Sequence, residues 1–100
     1  MNIYLFCNAG MSTSILVRNM SKAAAERGID AQIEAFAIDE LERRVSEADV
    51  VMLGPQVAYR LADAKKVCDA AGVPIRVIDM AVYGMCDGPR ALNEALELIG

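Results

Sequence analysis

The sequence predicts an α/β fold: an open four-stranded parallel sheet, strand order 2-1-3-4, with helices on both faces. Two observations carry this expectation. Strand-like and helix-like patterns alternate four times along the chain, and strands joined through helices pair in parallel by right-handed crossovers. Two of the four strand candidates, Ile3-Tyr4-Leu5-Phe6 and Val50-Val51-Met52-Leu53, are continuous apolar runs. That is the pattern of strands covered on both faces, so strands one and three take the centre. Ala31-Gln32-Ile33-Glu34-Ala35 alternates polar and apolar residues, and Ile75-Arg76-Val77-Ile78 carries an arginine after Pro74, so strands two and four take the edges.

The helices follow from spacing. Thr13, Leu16, Val17, Met20 and Ala24 share one face of a first helix, for which Gly28 is the stop. Asp39 three residues before Glu42 has the pattern of a capping box, opening a short second helix that buries Leu41, Val45 and Ala48. Val57, Leu61, Ala64, Cys68 and Ala71 form the stripe of a third helix, ending at Gly72 before Pro74. Asp87-Gly88-Pro89 starts the last helix, with Leu92, Ala95, Leu96 and Ile99 facing inward. No repeat, linker or low-complexity stretch interrupts the pattern, and 100 residues suit one domain spanning 1–100.

Composition excludes several functions. Ten basic and fourteen acidic side chains give a net charge of −4, and the only adjacent basic pairs are Arg43-Arg44 and Lys65-Lys66. Nucleic acid is therefore not an expected partner. Residues 1–17 are uncharged, but Asn2, Asn8, Gly10, Ser12, Thr13 and Ser14 break the stretch. It reads as neither a membrane span nor a signal segment, and a cytoplasmic chain is expected. Three cysteines without a C-x-x-C pair argue against a disulfide framework and against structural zinc. There is no histidine, which rules out Cys-His and Ser-His-Asp catalysis, imidazole metal ligation and a phosphohistidine of the chain's own. No metal or cofactor is expected.

Strand order 2-1-3-4 has its switch point beside strand one, where open parallel sheets bind ligands at the carboxyl ends of their strands. Cys7 stands there and opens the stretch Cys7-Asn8-Ala9-Gly10-Met11-Ser12-Thr13-Ser14. A strand-end cysteine is often only core. Here it is followed by a glycine able to take positive φ and by three hydroxyl residues at a helix start, features that packing does not need. Backbone N–H groups in such a turn converge on an anion, and the helix dipole adds positive potential. Residues 8–14 are thus candidate phosphate ligands, and the same field favours a thiolate on Cys7 as nucleophile. Neither G-x-G-x-x-G nor G-x-x-x-x-G-K-[ST] is present.

The loop is similar to the C-x-x-x-x-x-R-[ST] loop of low-molecular-weight protein tyrosine phosphatases, which also follows strand one of a comparable fold. In this chain Thr13 takes the arginine position and Ser14 follows it. A phosphatase arginine clamps the phosphoryl group through both attack and hydrolysis, so its absence points to holding and transferring phosphate rather than hydrolysing it. A cysteine phosphatase or an arsenate-reductase-like enzyme is the alternative, and a non-enzymatic regulatory module is a third reading.

Three segments, Ile3 to Ser14, Ala48 to Tyr59 (A-D-V-V-M-L-G-P-Q-V-A-Y) and Val77 to Gly84 (V-I-D-M-A-V-Y-G), resemble one family in order and spacing. It is the IIB component of the bacterial phosphoenolpyruvate-dependent sugar phosphotransferase system, lactose/cellobiose (N,N'-diacetylchitobiose) class. The resemblance covers essentially the whole chain. It implies a phosphotransferase in which Cys7 takes phosphate from a phosphohistidine of the IIA protein. The phosphate then passes to a disaccharide imported by the membrane IIC permease, with which the chain associates peripherally.

Three further residues read two ways. Gln56, after Gly54-Pro55 at the end of strand three, either lines the loop or belongs to a strand-to-helix turn. Asp79, ending strand four, either parallels a phosphatase's acid or caps a turn. Tyr83 belongs to the rim facing the IIA protein or to a packed turn. Cys68, on an apolar stripe, reads as core, Cys86 as an incidental loop thiol, and Arg18 as a solvated helix residue.

Overall fold

The structure is a computed structural model that describes residues 1–8 and 11–99, Met11 and Ser12 through their backbone alone. The elements run β1 (Asn2–Cys7), α1 (Met11–Glu26), β2 (Gln32–Ala37), α2 (Leu41–Arg44), β3 (Val50–Leu53), α3 (Leu61–Ala71), β4 (Ile75–Val77), α4 (Met80–Gly84) and α5 (Gly88–Ile99). All pairings are parallel and the sheet order is β2-β1-β3-β4, as the run patterns predict. Ile3 stands between Ile33 and Val50, and Cys7 is opposite Ala37 at the carboxyl edge.

Alternation along the two central strands divides the core. Ile3, Leu5, Val50 and Met52 face Leu16 and Met20 of α1 and Leu92 and Ala95 of α5. Tyr4, Phe6, Val51 and Leu53 face Leu41 of α2, Val57, and Ala64 and Cys68 of α3. Each such large side chain stabilises the fold by roughly 1.5–3 kcal/mol through burial. The edge strands are only partly covered, β4 at all three positions, as the wetter runs anticipate. On β2 the exposed side of Phe36 is covered by Arg44, whose guanidinium lies 4.5 Å from the ring centroid.

Four expectations are corrected. The Asp39–Glu42 capping box does not form: Asp39 lies within a 3₁₀ turn, Ile38–Glu40, and Glu40 precedes α2 in a helical conformation with no side-chain cap. Anchoring decides this, because Ile38, Leu41, Val45 and Ala48 all pin the segment to the sheet, and Glu40 pairs with Arg43. Secondly, Val57 precedes the third helix: Pro55–Arg60 is a 3₁₀ segment in which Val57 adopts φ −111°, and α3 begins at Leu61. The predicted stop holds, with Gly72 closing α3 at φ +71°. Thirdly, residues 80–84 form the short helix α4, too brief for a periodic signal. Finally, Ile99 does not face inward but remains 47% exposed in the last turn.

Helices α1 and α5 approach closely at Gly88, where an added Cβ would stand 2.4 Å from the Asn19 carbonyl oxygen. Asn19 Nδ2 donates to the Cys86 carbonyl at 2.8 Å, holding that residue at φ +51°.

Candidate functional site

The site is built at the carboxyl edge of the two central strands. Cys7, the last residue of β1, is 2% exposed. Thr13, third residue of α1, is 1% exposed, and its Oγ1 lies 2.7 Å from Cys7 Sγ. A strand end and a helix start therefore bring the thiol and the hydroxyl at the phosphatase arginine's position into contact. Tyr83 Oη lies 3.2 Å from Thr13 Oγ1 and completes a row of three polar atoms. Asn8 and Ser14 are exposed on either side. Ala9 and Gly10, and the side chains of Met11 and Ser12, lie outside the described residues, so the expectation placed on them is carried by the sequence.

β3 supplies the other wall. Gly54 N donates to Phe6 O at 2.9 Å and extends the β1–β3 ladder one step beyond Leu53. A Cβ on Gly54 would stand 2.8 Å from Gln56 Oε1, 3.2 Å from Cys7 Cβ and 3.5 Å from Tyr83 Cε1. The glycine thus gathers Cys7, Gln56 and Tyr83 around one point. Gln56 is brought to the site with its side chain folded back over Gly54. Gly54 itself went unrecognised in the sequence, where Gly-Pro after a strand signals only a turn.

Asp79 acts one step back from the sulfur. Its Oδ1 accepts the N–H of Ala81 at 2.9 Å and of Val82 at 3.2 Å, capping α4. Tyr83 N donates to Asp79 O at 2.9 Å. The Asp79 N–H in turn donates to Glu94 Oε1 at 3.3 Å, and that oxygen also lies 3.2 Å from Arg76 Nε. The carboxylate is committed to the helix that carries Tyr83.

The other thiols stand apart. Cys68 lies in the opposite core layer, where burial pushes its thiol up to about 11, the ordering of an inert structural cysteine. Cys86 is half-buried in the turn before α5. Among the described residues no cluster of three potential metal ligands occurs, and no helix is long and apolar enough to cross a membrane. A cleft of about 270 Å³ lined by Ile38, Asp39, Leu41, Arg60, Ala64 and Val67, among others, includes no residue of the Cys7 site.

This arrangement sets a buried thiol against a neutral hydroxyl at a helix N-terminus, with no cationic side chain in residues 1–17. Residues 2–94 match the family model of the PTS system, Lactose/Cellobiose specific IIB subunit. The PTS system galactose-specific EIIB component of Lactococcus lactis subsp. cremoris is 43% identical, across 97% of this chain and 94% of its own length. The oligo-beta-mannoside-specific EIIB component of Bacillus subtilis is 39% identical over the same shares. The solution structure of the cellobiose-specific IIB component from Borrelia burgdorferi superposes with a TM-score of 0.82 at 38% identity, covering 99% of this chain and 91% of that one. A Cys7-centred site on a 2-1-3-4 sheet and near-full-length similarity converge on one assignment: the chain belongs to the lactose/cellobiose-specific IIB family of the sugar phosphotransferase system.

Proposed function

We propose that the chain is a phosphocysteine carrier: Cys7 receives a phosphoryl group from a phosphohistidine of a IIA protein and passes it to a disaccharide held by a membrane IIC permease. The observation that carries this reading is the 2.7 Å contact between Cys7 Sγ and Thr13 Oγ1 at the start of α1, in place of a thiol beside a guanidinium. The sulfur attacks phosphorus in line; the S–P bond forms as the N–P bond breaks, and the departing imidazole takes up a proton to balance the one the thiol lost. Backbone N–H groups of residues 8–14 and the hydroxyls of Ser12, Thr13 and Ser14 hold the phosphoryl oxygens. In the second step a sugar hydroxyl attacks, the O–P bond forms as the S–P bond breaks, the sulfur leaves as thiolate, and the proton the hydroxyl loses is released to solvent or returned to the sulfur.

With no histidine the chain depends on an external imidazole donor. Without an arginine in the loop, water is not driven onto the phosphocysteine. No cofactor or metal enters the scheme, and the chain meets the membrane through the permease. Relatives about 40% identical are named for galactose and for oligo-β-mannosides. In this reading sugar choice belongs mainly to the permease, and the substrate class here is the lactose/cellobiose type.

The test is intact mass after incubation with phosphoenolpyruvate, the general phosphotransferase proteins and a IIA protein. The wild type gains one phosphoryl group and Cys7→Ser, folded by circular dichroism, gains none. Undiminished labelling of Cys7→Ser overturns the assignment, and steady turnover of p-nitrophenyl phosphate would replace it with a phosphatase.

A further inference from the structure

We propose that Tyr83 is a positioning residue: its hydroxyl donates to Thr13, so that the single Thr13 hydrogen is aimed at the Cys7 sulfur and, once the sulfur is phosphorylated, at a phosphoryl oxygen. The second half rests on the phosphocysteine reading; the first does not. Cys7 Sγ, Thr13 Oγ1 and Tyr83 Oη stand in a row at 2.7 and 3.2 Å. A hydroxyl has one hydrogen and two lone pairs, and a thiolate only accepts. When the sulfur is ionised, Thr13 therefore donates to it, and the remaining Thr13–Tyr83 contact is made by the Tyr83 hydrogen. The charge on sulfur sets the direction of the whole row.

Burial gives the row its strength. Thr13 and Cys7 are 1% and 2% exposed, so water does not compete for the bond, and a donor to a buried anion counts for more than one at the surface. Tyr83 is half-buried and is delivered by α4, itself fixed by the Asp79 cap and by Glu94 beneath it. During transfer the S–P bond forms and the N–P bond breaks. The sulfur, now bonded to phosphorus, no longer accepts, and the Thr13 hydrogen turns to a phosphoryl oxygen with Tyr83 still behind it. A pair of neutral hydroxyls thereby serves where a phosphatase has a guanidinium, holding phosphate without drawing in water.

The experiment uses the full chain carrying Cys86→Ser, with Tyr83→Phe, Thr13→Val and Thr13→Ser added singly. Alkylation of Cys7 by iodoacetamide at neutral pH, followed by intact mass, reports the reactivity of the sulfur without any phosphate. Tyr83→Phe, which keeps the ring, is expected to slow it about three- to tenfold, Thr13→Val at least as much, and Thr13→Ser, which keeps a hydroxyl, less than Thr13→Val. Single-turnover transfer from phosphorylated IIA protein is expected to lose about tenfold in maximal rate in Tyr83→Phe, with half-saturation unchanged. Wild-type alkylation and transfer in Tyr83→Phe, or a Thr13→Ser variant as slow as Thr13→Val, overturns the proposal. If no protein, wild type included, accepts phosphate, the carrier reading falls while the alkylation series still decides the role of Tyr83.

Discussion

Gly54 presses against Cys7: a Cβ built on the glycine would stand 3.2 Å from the Cys7 Cβ. Its φ of −63° suits any residue, so the demand for glycine comes from space rather than backbone conformation. The nearer neighbour, Gln56 Oε1 at 2.8 Å, belongs to an exposed side chain that can swing away. Cys7 cannot, because β1 is hydrogen-bonded on both sides. Gly54→Ala is expected to fold, at a cost of about 1–3 kcal/mol from overpacking. It should also push the sulfur by a few tenths of an ångström. Since a full ångström of misplacement can cost about a hundredfold in rate, a loss of about tenfold in phosphoryl transfer is expected. Initial rates of labelling by phosphorylated IIA protein, beside a urea midpoint, check it; an unchanged rate would free Cys7 from Gly54.

Cys68 gives stability a pH dependence of its own. Burial among the α3-side core residues raises its thiol from 9.0 to about 11, with the Asp69 charge adding to the rise and Lys65 opposing it. The folded state thus keeps the proton to higher pH than the unfolded chain. The resulting contribution is complete below the unfolded value near 9 and is lost as pH climbs toward about 11. Cys68→Ala should start from a lower urea midpoint and fall less steeply than wild type across that window. The difference in slope isolates the thiol from the tyrosines and lysines that titrate nearby, and parallel slopes would remove Cys68 as the cause.

Strand order was legible because two-sided burial writes itself locally: Ile3 to Phe6 and Val50 to Leu53 have no polar residue, and both strands are central. Cys7 and Thr13 were legible as members of one loop, but their 2.7 Å contact was not, because it depends on how the start of α1 packs against the end of β1. Nor was the place of Tyr83. It reaches Thr13 from 70 residues away on a five-residue helix without periodicity, and only the packing of α4 brings it there. Asp79 read as an acid or, more ordinarily, as a turn or cap residue, and its carboxylate accepts from the two N–H groups that open α4. Asp39 and Glu42 fit a capping box by spacing, but four buried apolar residues at 38, 41, 45 and 48 hold the segment in a different winding. Tertiary anchoring overrode local pattern there.

Glu94 ties α5 to β4 and to the start of α4, and its replacement should separate charge from hydrogen bonding. The residue is 8% exposed; Oε1 takes both Arg76 Nε and the Asp79 N–H, while Oε2 is buried without a hydrogen-bond partner among the described residues. A carboxylate held this incompletely recovers little of its desolvation cost. Glu94→Gln keeps an acceptor for Asp79 N–H and leaves Arg76 paired with Glu97 at 2.9 Å, so it is expected within about 1 kcal/mol of wild type. Glu94→Ala strands the Asp79 N–H beneath α4 and should cost about 1–3 kcal/mol. Because α4 carries Tyr83, the alanine variant should also slow phosphorylation of Cys7 under conditions where it is fully folded, and the glutamine variant should not. Urea denaturation and single-turnover labelling of both variants provide the comparison. Equal damage from Gln and Ala would assign the anchoring of α4 to the Arg76 ion pair instead of the hydrogen bond to Asp79.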